Sequence, residues 1–218
     1  LDLPNPCRFV EKYPEEARRV FIPPDKAATF IATLETMATE RYYGIQAQAL
    51  LLAIFTGQRI NNCLKLNLKH IHGGQWHILA ESDFAGERAK NNKEKFITLN
   101  KYALQIVEKL APAASGGFLF CYRGKPLSSV RKSFKEACRR SGVGDGYRIH
   151  DLRRSLATWM LNGGESLTVV AEMLGDTEEV ARKHYAHLLP EKVSEATEKT
   201  LDRLMAQNFN FQGKVIGE

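Results

Sequence analysis

The segment IHDLRRSLATWML, residues 149–161, brings an imidazole and a guanidinium to the opening of a helix predicted over 151–161. His150 and Arg153 are three positions apart, so both side chains can point the same way from the first turn. The pair offers a fixed guanidinium fork beside a group able to donate or accept a proton. Such a pair suits a phosphate, where charge develops on oxygens in the transition state and positioned cations stabilise it. An HxxR spacing is common, and alone it equally describes a helix start with a surface salt bridge. The flanking sequence decides between the two. Upstream, TGQR at 56–59 ends an apolar helix on a Thr-Gly turn followed by an arginine. Downstream, LGDTEEVARKHYAHL at 174–188 combines a Gly stop, a capping threonine and a helix carrying Tyr185 between His184 and His187.

The rest of the chain frames these motifs with helices. Residues 1–24 are proline-rich and weakly periodic, a linker whose Pro23-Pro24-Asp25 prepares a helix start near residue 25. Ala27, Phe30, Ile31 and Leu34 form an amphipathic stripe, and 46–55 is apolar nearly all round, as in a buried helix. Leu64, Leu66, Leu68 and Ile71 continue the core. Residues 75–80 and 95–99 read as strands, with Asn91-Asn92 as a tight turn ahead of the second. Tyr102, Ile106, Val107 and Leu110 mark the next helix. Ser128 or Ser129 can cap the one after it, whose inner face is Val130, Phe134, Ala137 and Cys138. Its other face carries Arg131, Lys135 and Arg139, with Lys132 and Arg140 beside them: either a solvated helix face or a stripe that tracks DNA phosphates. Helices are predicted over 151–161, 167–174 and 177–188, the last with Thr177 as cap and Glu178 and Glu179 at its positive end. Residues 191–207 suggest a terminal amphipathic helix, followed by an apolar tail with Phe209, Phe211, Val215 and Ile216. The expected fold class is α+β, mainly α with a small antiparallel β-sheet.

Thirty-one Lys and Arg against 25 Asp and Glu give a net charge of +6, which favours a polyanionic partner such as nucleic acid. No apolar run has membrane-spanning length and the start does not resemble a secretory signal. Cys7, Cys63, Cys121 and Cys138 fall in no metal spacing, and scattered thiols fit a reducing, cytoplasmic compartment. His70, His72 and His77 cluster near the first strand without supporting cysteine or carboxylate spacing, so no metal is expected and no cofactor is called for. Gly124-Lys125 is an isolated turn, not a phosphate loop.

TGQR, HDLR, LG and HYAH, in that order, resemble the tyrosine recombinase (phage integrase) family over about residues 20 to 190. The resemblance implies that family's catalytic domain, at 25–190, with 1–24 as the linker into it and 191–218 as a tail that docks either on its own domain or on a neighbouring protomer. The chain begins at Leu1 rather than Met, and Asn5-Pro6 looks like the family's linker, so a core-binding domain is expected to precede it. Residue by residue, the resemblance makes Tyr185 the nucleophile that forms a 3′-phosphotyrosine and frees a 5′-hydroxyl. Arg59 and Arg153 would hold the nonbridging oxygens of the scissile phosphate, and His150 would assist proton transfer. Lys90 would be the general acid, with Lys93 the neighbouring candidate and a further DNA contact. The implied partner is double-stranded DNA, on which the chain forms a homotetramer in the synaptic complex; off DNA a monomer is the alternative, and no membrane is involved.

Two positions depart from the family pattern. Asn62 stands where an acidic residue usually braces the site. Asp176 stands where a His or Trp usually follows Leu-Gly, and an ionised aspartate there can only accept hydrogen bonds. Asp176 is therefore expected to turn away from the phosphate, slow the chemistry or become protonated, with Asp176→His raising cleavage. Two other readings stay open: a type IB topoisomerase-like nicking-closing enzyme, and a DNA-binding module with weakened catalysis.

Overall fold

The apolar run at 46–55 becomes the central helix of the domain. In the computed structural model, which describes residues 18–79, 94–186, 198, 201 and 202, α2 (Gly44–Thr56) buries residues on every side, among them Leu50, Leu52 and Ile54. Around it pack α1 (Pro24–Met37), the short α3 (Ile60–Leu64), α4 (Lys101–Leu110), α5 (Arg131–Arg140) and α6 (Asp151–Asn162). Proline at the first position of α1 suits a helix start, because its missing N–H has no intrahelical acceptor there. Phe30, Leu34 and Met37 then turn one face into the core.

A three-stranded antiparallel sheet interrupts the helices: β1 (Ile71–His72), β2 (Gln75–Ile78) and β3 (Lys95–Thr98), in that spatial order. Trp76 pairs with Ile97 and Ile78 with Lys95, so the alternation turns Trp76, Ile78 and Ile97 inward. The strand expected over 75–80 ends at Ile78 in the structure, and β1 adds an edge that two residues of sequence could not announce. A second ribbon, β4 (Cys121–Tyr122) with β5 (Lys125–Pro126), was likewise too short for an alternating pattern. Asn91-Asn92 lies outside the described residues, as do the apolar tail and most of 191–207. Glu198, Leu201 and Asp202 are helical.

After α6 come α7 (Leu167–Leu174) and α8 (Glu178–Tyr185). Ser166 caps α7 by accepting from the Val169 N–H at 3.2 Å, and Thr177 caps α8 by accepting from the Val180 N–H at 3.3 Å. The expected cap of α5 is shifted by one place: Ser129 Oγ accepts from the Arg131 N–H at 3.3 Å, and Val130 is the residue flanking the helix.

Two apolar clusters result. The larger surrounds α2. The smaller gathers Ala157, Leu161, Leu167, Val170, Ala171, Leu174, Ala181 and Tyr185. Helix α6 belongs to both, with Leu152 in the larger and Ala157 and Leu161 in the smaller. The segment entering α1 is fastened to the same helix. The Ile22 N–H donates to Ser155 Oγ at 2.8 Å, Trp159 Nε1 donates to the Ile22 carbonyl at 2.8 Å, and Arg18 pairs with Asp151 at 2.9 Å.

Candidate active site

Two glycine turns meet behind Arg153. Gly57 ends α2 with φ +64°, and Gly175 ends α7 with φ +63°, a region that a side chain makes costly. Space also forbids a larger residue. A Cβ at Gly57 would lie 2.9 Å from Leu174 Cδ2 and Met173 Sδ, so the two turns are in contact. Buried Gln58 bridges them, with Nε2 donating to the Met173 carbonyl at 3.1 Å. Arg153, 4% exposed, completes the seam: Nη1 donates to the Gly57 carbonyl at 2.8 Å and to the Leu174 carbonyl at 3.0 Å, and Nη2 pairs with Asp176.

Asp176 collects three cations. Besides Arg153, Lys95 Nζ donates to its Oδ1 at 3.1 Å, and Arg59 Nη2 stands 4.0 Å from the same oxygen. Burial opposes ionisation of this carboxyl, but the Arg153 and Lys95 charges overcome that penalty and hold it below the usual carboxylate range. Two of the partner cations are lowered as well: burial and then the neighbouring Arg153 charge lower Arg59, while Asp176 counteracts. Lys95 is lowered chiefly by burial, again against Asp176.

Arg59, His150 and Arg153 line one cavity of about 140 Å³ with Gln58, Ile60, Asn61 and Ile149. Arg59 flanks the start of α3 and His150 the start of α6, so the cavity is walled by two helix N-termini. The positive ends of two helices add to the attraction for an anion. Desolvation and the Arg154, Arg153 and Arg59 charges keep the His150 imidazole below its ordinary pKa, hence neutral at pH 7 and able to accept a proton. A larger cleft of about 660 Å³ shares Ile60, Asn61 and Ile149 with this cavity and adds Arg131, Lys135 and Arg148.

Tyr185 does not line that cavity. It is 8% exposed, packed in the smaller cluster, and faces a separate space of about 120 Å³ bounded by Arg18, Arg19, Arg154, Lys183 and His184. Burial raises its phenol above the ordinary value, while Arg153 and Arg154 pull it down. The structure thus brings Arg59, His150, Arg153 and Asp176 together and leaves Tyr185 one helix away.

The basic stripe divides. Arg131 and Lys135 face the cleft and Lys132 is exposed. Arg139 pairs with Glu136 at 2.7 Å, and Arg140 pairs with Glu136 and Glu40. Lys90 and Lys93 lie outside the described residues. Two site residues escaped sequence reasoning, Gln58 and Lys95. Lys95 had a signal: it is two positions from buried Ile97 on the same strand, so it shares the apolar face, an unusual place for a lysine.

A model of the phage integrase family matches residues 21–192. Tyrosine recombinase XerC of Lactobacillus delbrueckii subsp. bulgaricus is 26% identical over 152 residues, covering 63% of this chain and 49% of the relative. Tyrosine recombinase XerD of Halalkalibacterium halodurans is 28% identical over 158 residues, covering 67% and 50%. The chain spans about half the length of these curated relatives. Among solved structures, the XerH site-specific recombinase bound to palindromic difH substrate in a post-cleavage complex superposes with TM-score 0.63 at 21% identity, over 82% of this chain and 52% of that one. The Tn1549 transposon integrase in complex with a circular intermediate DNA gives TM-score 0.66 at 16% identity, over 85% and 67%. These neighbours share the mainly helical fold with small antiparallel sheets.

Proposed function

Because the chain belongs to the phage integrase family, we propose that it is the catalytic domain of a site-specific DNA recombinase that cuts and rejoins strands through a covalent phosphotyrosine. The observation that carries this reading is the convergence of Arg59, His150 and Arg153 on one cavity, in a motif order that ends at Tyr185. The Tyr185 oxygen attacks the scissile phosphorus, the bond to the 5′-oxygen breaks, and the 3′-phosphate stays on the tyrosine. Arg59 and Arg153 hold the nonbridging oxygens as negative charge grows on them. His150, neutral at pH 7, takes the phenol proton, which a raised tyrosine pKa makes necessary. Lys90 gives a proton to the departing 5′-oxygen, and Lys93 contacts DNA near it. The ester conserves the bond energy, so a 5′-hydroxyl from another strand reseals it without ATP or metal. Arg131, Lys132, Lys135 and Arg139 supply the phosphate track beside the site, Arg131 and Lys135 from within the cleft. Exchange between two duplexes uses four such sites, hence a homotetramer on DNA.

A nicked duplex carrying the chain's recombination site tests this, because loss of the short 5′-fragment traps the adduct. A trapped adduct and strand exchange between two sites support the recombinase. Relaxation of supercoils without exchange would instead mark a topoisomerase-like enzyme, and no adduct a binding module.

Two proton-transfer assignments carry their own measurements. For His150, a lowered pKa puts the acid limb of the second-order cleavage rate below pH 6.5, with a plateau through neutrality. His150→Gln should slow the plateau and erase that limb; a limb that persists assigns it elsewhere. For Lys90, Lys90→Ala should slow cleavage about 10²- to 10⁴-fold on an ordinary duplex. A duplex with sulfur at the bridging 5′ position leaves as a thiolate without a proton, so the variant should regain most of its rate there. Equal defects on both duplexes would remove Lys90 from the role and turn attention to Lys93.

A further inference from the structure

We infer that Asp176 is a positioning residue that braces the phosphate-binding cations Arg59 and Arg153 from behind, and that Lys95 is the cation that holds Asp176 in that place. This rests on the recombinase reading above.

Placement separates a brace from an obstruction. Asp176 is 11% exposed at its side chain and is not among the residues that line the cavity shared by Arg59, His150 and Arg153. Its carboxylate meets the cations from the protein side, leaving the cavity to an incoming phosphate. Arg153 is fixed at three points, the Gly57 carbonyl, the Leu174 carbonyl and Asp176, and the last is the only one that carries charge. Among the described residues, no other carboxylate pairs with Arg59, Arg153 or Lys95. Position 62 offers a neutral amide, so the bracing charge has to come from elsewhere.

Lys95 reaches this place by a specific route. Its stem crosses the backbone at Gly175, where an added Cβ would lie 2.9 Å from Lys95 Cδ and 3.1 Å from Ile97 Cδ1. Position 175 therefore answers to Lys95 as well as to its own φ of +63°. Four elements meet at one carboxylate: the start of α3, strand β3, helix α6 and the turn after α7. Without that carboxylate three cations would face one another, and the ammonium, on a flexible stem, would be the first to leave.

The brace reading reverses the expectation drawn from sequence for Asp176→His. An imidazole placed among Arg59, Arg153 and Lys95 removes their one counter-charge, and cleavage should fall. The test uses the 218-residue chain and the nicked duplex, with single-turnover cleavage at saturating DNA and DNA affinity measured separately. Asp176→Asn and Asp176→His should each slow cleavage about 10- to 100-fold, the size expected of a misplaced catalytic group. DNA affinity should be unchanged or tighter, since a negative charge has been removed. Adding Lys95→Met to Asp176→His takes one cation away and should recover at least about tenfold of the rate, a coupling that independent sites do not show. Cleavage as fast as the native chain in either single variant, or no recovery in the double variant, overturns the brace. If the Asp176 variants do not fold, Lys95→Met decides alone: slowed cleavage with native melting supports the proposal, and unchanged cleavage overturns it. Failure of the native chain to form any Tyr185-dependent adduct overturns the recombinase reading itself, and the brace with it.

Discussion

Tyr185→Phe should form no covalent adduct on the nicked duplex, while its DNA affinity and melting temperature should stay near those of the native chain. The ring is 8% exposed and packs with Leu161, Val170, Leu174 and Ala181, contacts that phenylalanine keeps. The substitution removes one oxygen from the nucleophile and nothing from the core, so stability should change by less than about 1.5 kcal/mol. Water held in the same cavity would hydrolyse the phosphate without leaving protein on the DNA, and gel mobility after proteolysis distinguishes the two products. An adduct that persists in Tyr185→Phe would move the nucleophile to another residue.

Arg153→Ala produces the second large effect, and it acts on two observables. Loss of a cation aimed at the transition state should slow cleavage by about 10³-fold or more. Loss of the same guanidinium leaves Asp176 largely buried without its closest partner, and the Gly57 and Leu174 carbonyls without their donor. Breaking a buried pair from one side costs about 3–5 kcal/mol. Urea unfolding at pH 7 should therefore show a marked loss of stability beside the kinetic defect. Since the folded pKa of Asp176 is depressed, the stabilisation it gains in the native chain is present above the ordinary carboxyl value. It is lost as pH falls through the lower folded value. The stability gap between native and Arg153→Ala chains should accordingly be constant from about pH 5 to 8 and narrow in acid. Arg153→Lys separates the two effects. A lysine restores positive charge but cannot reach both carbonyls and Asp176 together, so stability should recover further than cleavage.

Local chemistry is what the sequence announces best. Thr177 as a cap, the Gly175 stop and the all-apolar face of α2 each depend on neighbours within one or two turns, and the structure has them as read. The His150 and Arg153 spacing was visible for the same reason. Contacts chosen by the tertiary fold were not. Lys95 and Asp176 are 81 residues apart, and only the packing of β3 against α7 selects them as partners. Arg140 counts as part of a basic stripe until Glu40, 100 residues away, is seen to take it. Two-residue strands such as β1 and β4 offer no period to detect. The separation of Tyr185 from the arginine cavity was equally invisible, because motif order names the members of a site without saying whether they have met.

Helix α6 runs through both apolar clusters, with its first turn in the larger and its later turns in the smaller. One helix therefore ties the packing around Tyr185 to the packing around α2. Leu174 packs in the smaller cluster with Tyr185 while its carbonyl accepts from Arg153, so substitutions on the apolar face of α7 bear on the tyrosine and on the arginine seam at once.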